Sequence, residues 1–163
     1  MEQPARLDAQ EAALDALLET LGETVEIPQD DRVDRLAEHL PDYPQYHRIG
    51  HKRQAAYRRL TEDRAAAHGC YPQVLAALLA DDDPSSPRWL AQVLLTAGGR
   101  RRLQEELVAA VEHGDPLRQA CAVGAWRWAD PMGGPLAERF LTVRREAAAR
   151  CVDPWARGRL AAD

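Results

Sequence analysis

Lysine, serine and phenylalanine are almost missing from this chain of 163 residues: Lys52 is the only Lys, Ser85 and Ser86 the only Ser, and Phe140 the only Phe. With so little serine there is no GxSxG nucleophile elbow, and no glycine-rich phosphate loop occurs either. Three cysteines, Cys70, Cys121 and Cys151, form neither a CxxC pair nor an even framework, which points to a reducing compartment. Strand formers alternate only over Thr24-Val-Glu-Ile27. No apolar run approaches the ~20 residues that cross a membrane. The first residues, Met1-Glu-Gln-Pro-Ala-Arg6, open with an acid and carry no apolar stretch, so no signal peptide is expected. These absences predict a soluble, cytoplasmic protein that uses no cofactor and no membrane. The preference for Arg over Lys fits a GC-rich bacterial genome.

What is present is helix. Apolar residues make up 45% by the broad count, enough to fold one domain over residues 1–163. Stripes at helical spacing recur along the chain. Leu7, Leu14, Leu18 and Leu21 form the first, stopped at Gly22. A helix capped by Asp30 or Asp31 carries Val33, Leu36, Ala37 and Leu40, and residues 41–46 read as a rigid loop. A third helix carries Ala56, Tyr57, Leu60 and Ala67 to Gly69. Val74 to Leu79 line a fourth. Leu90 to Ala97 line a fifth that ends at Gly98-Gly99, and Leu103 to Val111 a sixth. Leu117, Cys121, Gly124 and Trp128 line a seventh, and Leu136 to Ala147 an eighth. A short ninth follows Pro154. The expected fold is all-α, with about eight to nine helices.

Four Asp-Pro pairs punctuate the second half: Asp83-Pro84, Asp115-Pro116, Asp130-Pro131 and Asp153-Pro154. Asp at an N-cap accepts from free backbone N–H groups, and Pro in the first turn has no N–H to leave unpaired. Leu75 to Leu79 and Leu107 to Val111 precede the first two pairs at the same distance, giving an offset of 32 residues. Such a period is the mark of stacked helical hairpins. Gly114 is expected to end its helix in the left-handed conformation. Asp130-Pro131 is expected to lie between units, with Gly133-Gly134 echoing Gly98-Gly99.

On these residues the chain resembles the HEAT-like family of α-solenoid repeats. Asp115, Pro116 and Arg118 match its turn, Asp83, Pro84 and Arg88 match with a two-residue insertion, and Asp153, Pro154 and Arg157 match loosely. The resemblance covers residues 71–163 and leaves 1–70 as a non-repeating helical part. It implies a short right-handed stack of antiparallel helix pairs, two full units and a truncated third. It also implies an extended surface for another protein, as in an adaptor, an inhibitor or immunity partner, or an accessory protein. Arg118 and Trp126 share a stripe on the seventh helix and are candidate hot-spot residues. The competing reading of Trp126 is packing against Phe140 or Trp155.

Charge is unevenly placed. Residues 1–44 hold a net charge of −9 and residues 45–70 hold +4, within a total of −5. The second block mixes rings and cations: Tyr43, Tyr46, His47, Arg48, His51, Lys52, Arg53, Tyr57, Arg58 and Arg59. Cations neutralise phosphate and rings stack on bases, so segment 47–64 is a candidate nucleic-acid surface. The HEAT-like resemblance extends to DNA glycosylases of that class, whose aromatic and basic lining Arg118, Trp126, Arg127 and Asp130 imitate. The acidic total weighs against this reading. His47 and His51 are four residues apart, at metal-ligand spacing. No HExxH accompanies them, and Arg48, Lys52 and Arg53 would repel a cation, so no metal site is expected. A small enzyme with a pocket of Tyr46, His47 and His51 is the remaining alternative, although no catalytic motif supports it.

Overall fold

The computed structural model describes residues 1–129 and 133–162. Among these residues the regular structure is entirely helical, in nine elements with no strand. Helix α1 (Gln3–Leu21) buries Leu7, Gln10, Leu14, Leu17 and Leu18, a one-sided stripe, and stops at left-handed Gly22. Helix α2 (Asp31–Ala37) is capped by the Asp30 carboxylate on Arg32 N–H. It buries none of its residues, and Leu40 beyond it is 55% exposed. The expected core stripe of this segment is therefore only half-buried at Val33, Leu36 and Ala37, and exposed at Leu40.

Helix α3 (Tyr43–Glu62) begins inside the segment expected to be a loop, because Pro44 occupies its first turn. Its buried stripe is Ile49, Arg53, Ala56 and Leu60. The run expected to continue to Gly69 is divided at Asp63, whose carboxylate caps α4 (Arg64–Gly69) on Ala66 N–H. Helix α5 (Tyr71–Leu78) leads into the loop 79–86.

Helix α6 (Pro87–His113) is broken at Gly99, where φ is 78° and ψ 164°. Its two arms are the expected fifth and sixth helices. Gly98 is required beside the break, since a Cβ there would stand 2.4 Å from the Tyr71 ring. Arg102 covers that same ring at 3.7 Å from its centre. The Arg100-Arg-Arg102 run is thus helical, and Arg101 pairs with Glu105 at 2.8 Å.

Helix α7 (Pro116–Trp126) is capped by Asp115 on Arg118 N–H at 3.0 Å, and α9 (Pro154–Ala161) by Asp153 on Ala156 N–H at 2.9 Å. Helix α8 (Pro135–Arg150) lies between them in sequence. Gly114 is extended (φ −70°, ψ 163°), not left-handed. Its glycine is needed for space, because a Cβ would meet the Ala110 carbonyl oxygen at 2.4 Å. Asp83-Pro84 does not open a helix; α6 starts at Pro87 behind Ser86. The Asp130-Pro131 pair lies outside the described residues.

One hydrophobic cluster runs from Leu7 in α1 to Leu160 in α9. Helix α6 is its centre and packs against α3, α4, α5, α7 and α8, while α1 closes one side on α3 and α5. Leu14, Leu17, Ile49, Leu90, Leu94, Leu103 and Leu107 are fully enclosed. Each such side chain contributes about 1.5–3 kcal/mol relative to exposure.

Candidate functional site: the acidic loop and the cleft beside it

Two polar residues stand on otherwise apolar stripes. Gln10 lies between Leu7 and Leu14 on α1, and Arg53 between Ile49 and Ala56 on α3. Buried polar groups require partners. Both meet Asp81, which follows the apolar end of α5 and is 2% exposed. Gln10 Nε2 donates to Asp81 at 2.6 Å, Ser86 Oγ at 2.7 and 2.8 Å, and Arg53 Nη2 at 3.3 Å. Arg53 Nε is 3.2 Å from Asp81 Oδ2 but off the hydrogen-bond line. Burial pushes the Asp81 carboxyl up to about 6, against the pull of Arg53 and Ser86.

The next two acids point elsewhere. Asp82 accepts from Arg6 Nε at 2.7 Å, and its carbonyl accepts from Arg159 Nη2 at 3.1 Å. Arg6 and Arg159 both lie against the Trp155 ring, 4.3 and 5.8 Å from its centre. Asp83 accepts from Tyr46 Oη at 2.7 Å and from Ser85 N–H and Oγ at 2.8 Å. Burial raises Asp83, but the Ser85 and Tyr46 hydrogen bonds outweigh it and hold the carboxyl below its ordinary range. The same bond to Asp83, helped by burial, pushes the Tyr46 phenol up to about 12. Three consecutive carboxylates thus tie α1 and α3 to one loop, and the Asp82 carbonyl adds α9.

On the far side of residues 81–84 lies an open cleft of about 310 Å³ between the loop and α7, α8 and α9. Its aromatic lining is Trp126, Phe140 and Trp155. Trp126 stacks on Phe140 with ring centres 3.9 Å apart and planes 6° from parallel. Three guanidinium groups also line it. Arg144 Nε donates to the Leu160 carbonyl at 2.7 Å, Arg159 to the Asp82 carbonyl, and Arg127 to the Pro84 carbonyl. Among the described residues none of the three has a carboxylate partner. Cys121 lines the cleft too, but burial raises its thiol well above the usual range, so it is protonated and a poor nucleophile.

The expected site residues divide accordingly. Tyr46 and Arg53 meet the acidic loop from one side and Trp126 faces it from the other. Arg53 is buried and committed to Asp81. Arg118 is exposed at the start of α7, 3.8 Å from Asp115, and is outside the cleft lining. His47 and His51 face each other with Nε2 atoms 3.3 Å apart. The expected inward face of α7 is shifted: Leu117 and Cys121 are buried together with Ala120, Ala122 and Ala125, whereas Gly124 and Trp128 are half-buried. Sequence reasoning read Asp83 only as a repeat turn and Trp155 only as a packing partner, and passed over Asp81, Asp82, Arg6 and Arg159. The signal was a pair of polar residues at core positions upstream of Asp81-Asp82-Asp83.

No group of three or more potential metal ligands occurs among the described residues, and no helix among them is long and apolar enough to cross a membrane. Comparison with protein-family models, curated proteins and solved structures found no match.

Proposed function

We propose that the chain is a protein-interaction module that takes an acidic segment of a partner protein into the cleft beside the 81–84 loop. The observation that carries this reading is the trio Arg127, Arg144 and Arg159, which donate to carbonyls and have no carboxylate partner among the described residues, around a Trp126–Phe140–Trp155 wall. Trp and Arg are enriched where binding energy concentrates, and unpaired positive charge selects an acidic partner. An adaptor, inhibitor or immunity partner, or accessory protein fits this description.

The HEAT-like stack belongs to the same proposal. The first unit would be α5 with the first arm of α6, the second the other arm with α7, and the third α8 with α9. Its support is the Asp115 and Asp153 caps at the turns of the second and third units, and the packing of α5 on α6, α6 on α7 and α8 on α9.

The nucleic-acid alternative has less support. Arg48 and Lys52 are paired with Glu11, Lys52 also with Asp15, and Arg53 with Asp81. Arg59 is paired with Glu23 and Asp63. These cations of segment 47–64 are already engaged within the chain.

The experiment is capture of a partner from the source organism followed by binding titration with variants. Arg127→Glu and Arg144→Glu should each weaken binding at least ~tenfold, about 1.4 kcal/mol. Arg101→Glu, outside the cleft, should leave it unchanged. Full binding by Arg127→Glu combined with Arg144→Glu overturns the reading. Salt-sensitive retention on DNA by the unmodified chain, abolished by Arg58→Glu, would favour the nucleic-acid alternative.

A further inference from the structure

The His47–His51 pair stands apart from the cleft. Both rings project from one face of α3, one turn apart, and both are half-buried. Their Nε2 atoms converge to 3.3 Å, with ring centres 4.6 Å apart and planes at 66°. A metal about 2.1 Å from each nitrogen would then subtend an N–metal–N angle of about 104°. That angle lies close to the tetrahedral value, so the two side chains already hold a chelating separation.

The electrostatic objection to a cation here is removed by α1. Arg48 Nε meets Glu11 at 3.0 Å, and Lys52 Nζ meets Glu11 at 2.9 Å and Asp15 at 2.6 Å. Arg53 turns to the opposite side and is taken up by Asp81. The three cations flanking the pair in sequence are therefore each matched by a carboxylate. We propose that His47 and His51 form a two-imidazole site for a divalent transition-metal cation of the copper or zinc type, for which imidazole is a favoured ligand.

Binding uses both Nε2 lone pairs. The ring that donates its Nε2–H to the other in the free protein moves that proton to Nδ1, and no proton need leave. Among the described residues no third His, Cys, Asp or Glu completes the set, so the remaining positions belong to water or to a donor from a bound molecule. The affinity expected is accordingly micromolar, not that of a closed structural site.

The test is calorimetric titration of the full chain, without a histidine tag, with copper(II) and with zinc chloride. One cation per chain is expected. His47→Ala and His51→Ala should each weaken binding at least ~tenfold, a loss of about 1.4 kcal/mol. His113→Ala, on an exposed residue far along α6, should leave it unchanged, and so should Arg127→Glu in the cleft. Electron paramagnetic resonance of the copper-loaded wild type should show coupling to two nitrogens, which decides the matter even if a histidine variant fails to fold. Absence of binding, a signal from one nitrogen, or unchanged affinity in folded His47→Ala and His51→Ala overturns the proposal.

Discussion

At the residue scale, two carboxylates titrate in opposite directions and so leave opposite marks on stability. Burial raises Glu11, but hydrogen bonds from Arg48, Lys52 and Gln45 overcome it and bring the carboxyl down to about 2. A depressed acid stabilises the fold above its unfolded value, near 4.5, and loses that contribution as pH falls toward 2. Because the ion pairs are partly solvated, the contribution is on the order of 1 kcal/mol. Glu11→Gln should therefore lower stability near neutral pH by about that amount, with the difference from wild type vanishing near pH 2 in urea unfolding. Asp81 behaves in the reverse sense. Its folded value, about 6, lies above the ordinary 3.8, so the folded state holds the proton more tightly and stability falls as pH rises between these values. The upper limit is about 3 kcal/mol. The stability of wild type relative to Asp81→Asn should decline across that interval; a flat difference would mean that Asp81 does not carry the raised value.

At the element scale, the Asp-Pro pairs do not share one role. Asp115 and Asp153 cap helices, whereas Asp83 closes a turn on Ser85 and holds Tyr46. Asp115→Ala should cost about 1 kcal/mol through the lost cap. Asp83→Ala should instead bring the Tyr46 phenol down from about 12 toward its usual 10, read by ultraviolet titration. The α6 break supplies a second comparison. Gly99→Ala meets only backbone strain, of about 1–3 kcal/mol, since nothing lies within 4 Å of its Cβ. Gly98→Ala instead forces a Cβ into the Tyr71 ring and should also lower the thermal midpoint, by about 1–3 kcal/mol of overpacking.

At the scale of the whole molecule, the acidic loop couples the two halves of the chain. Asp81 reaches Gln10 and Arg53, Asp82 reaches Arg6, and Arg159 returns to the Asp82 carbonyl. The hydrophobic cluster is likewise continuous from α1 to α9. Unfolding should be a single transition, with far-ultraviolet dichroism and tryptophan fluorescence coinciding. All four tryptophans lie between residues 89 and 155, so fluorescence reports the second half while dichroism reports the whole. Two separated transitions would show that residues 1–70 fold independently of residues 71–163.

Much of the helical architecture was legible in the sequence, because 3.6-residue periodicity, Asp caps and glycine stops act within a few residues of where they stand. Gly22, Gly99, Asp30, Asp115 and Asp153 all act where their local chemistry places them. Local chemistry also misled. Val33 and Leu36 have helical spacing, but α2 packs chiefly on α3 and they are only half-buried, and Gly114 answers a carbonyl contact rather than a positive φ. The site was the least legible part. The partners of Asp81 lie 71 and 28 residues away in sequence, and Arg6 and Asp82 are 76 apart. The cation-rich segment 47–64 read as a free basic surface until α1 supplied Glu11 and Asp15. Helix content and helix ends depend on near neighbours, so the sequence by itself determined them. The i,i+4 approach of His47 and His51 is local in the same way. Which charges are neutralised, and which arginines lack a carboxylate among the described residues, depend on contacts between distant segments, and only the tertiary structure decided those.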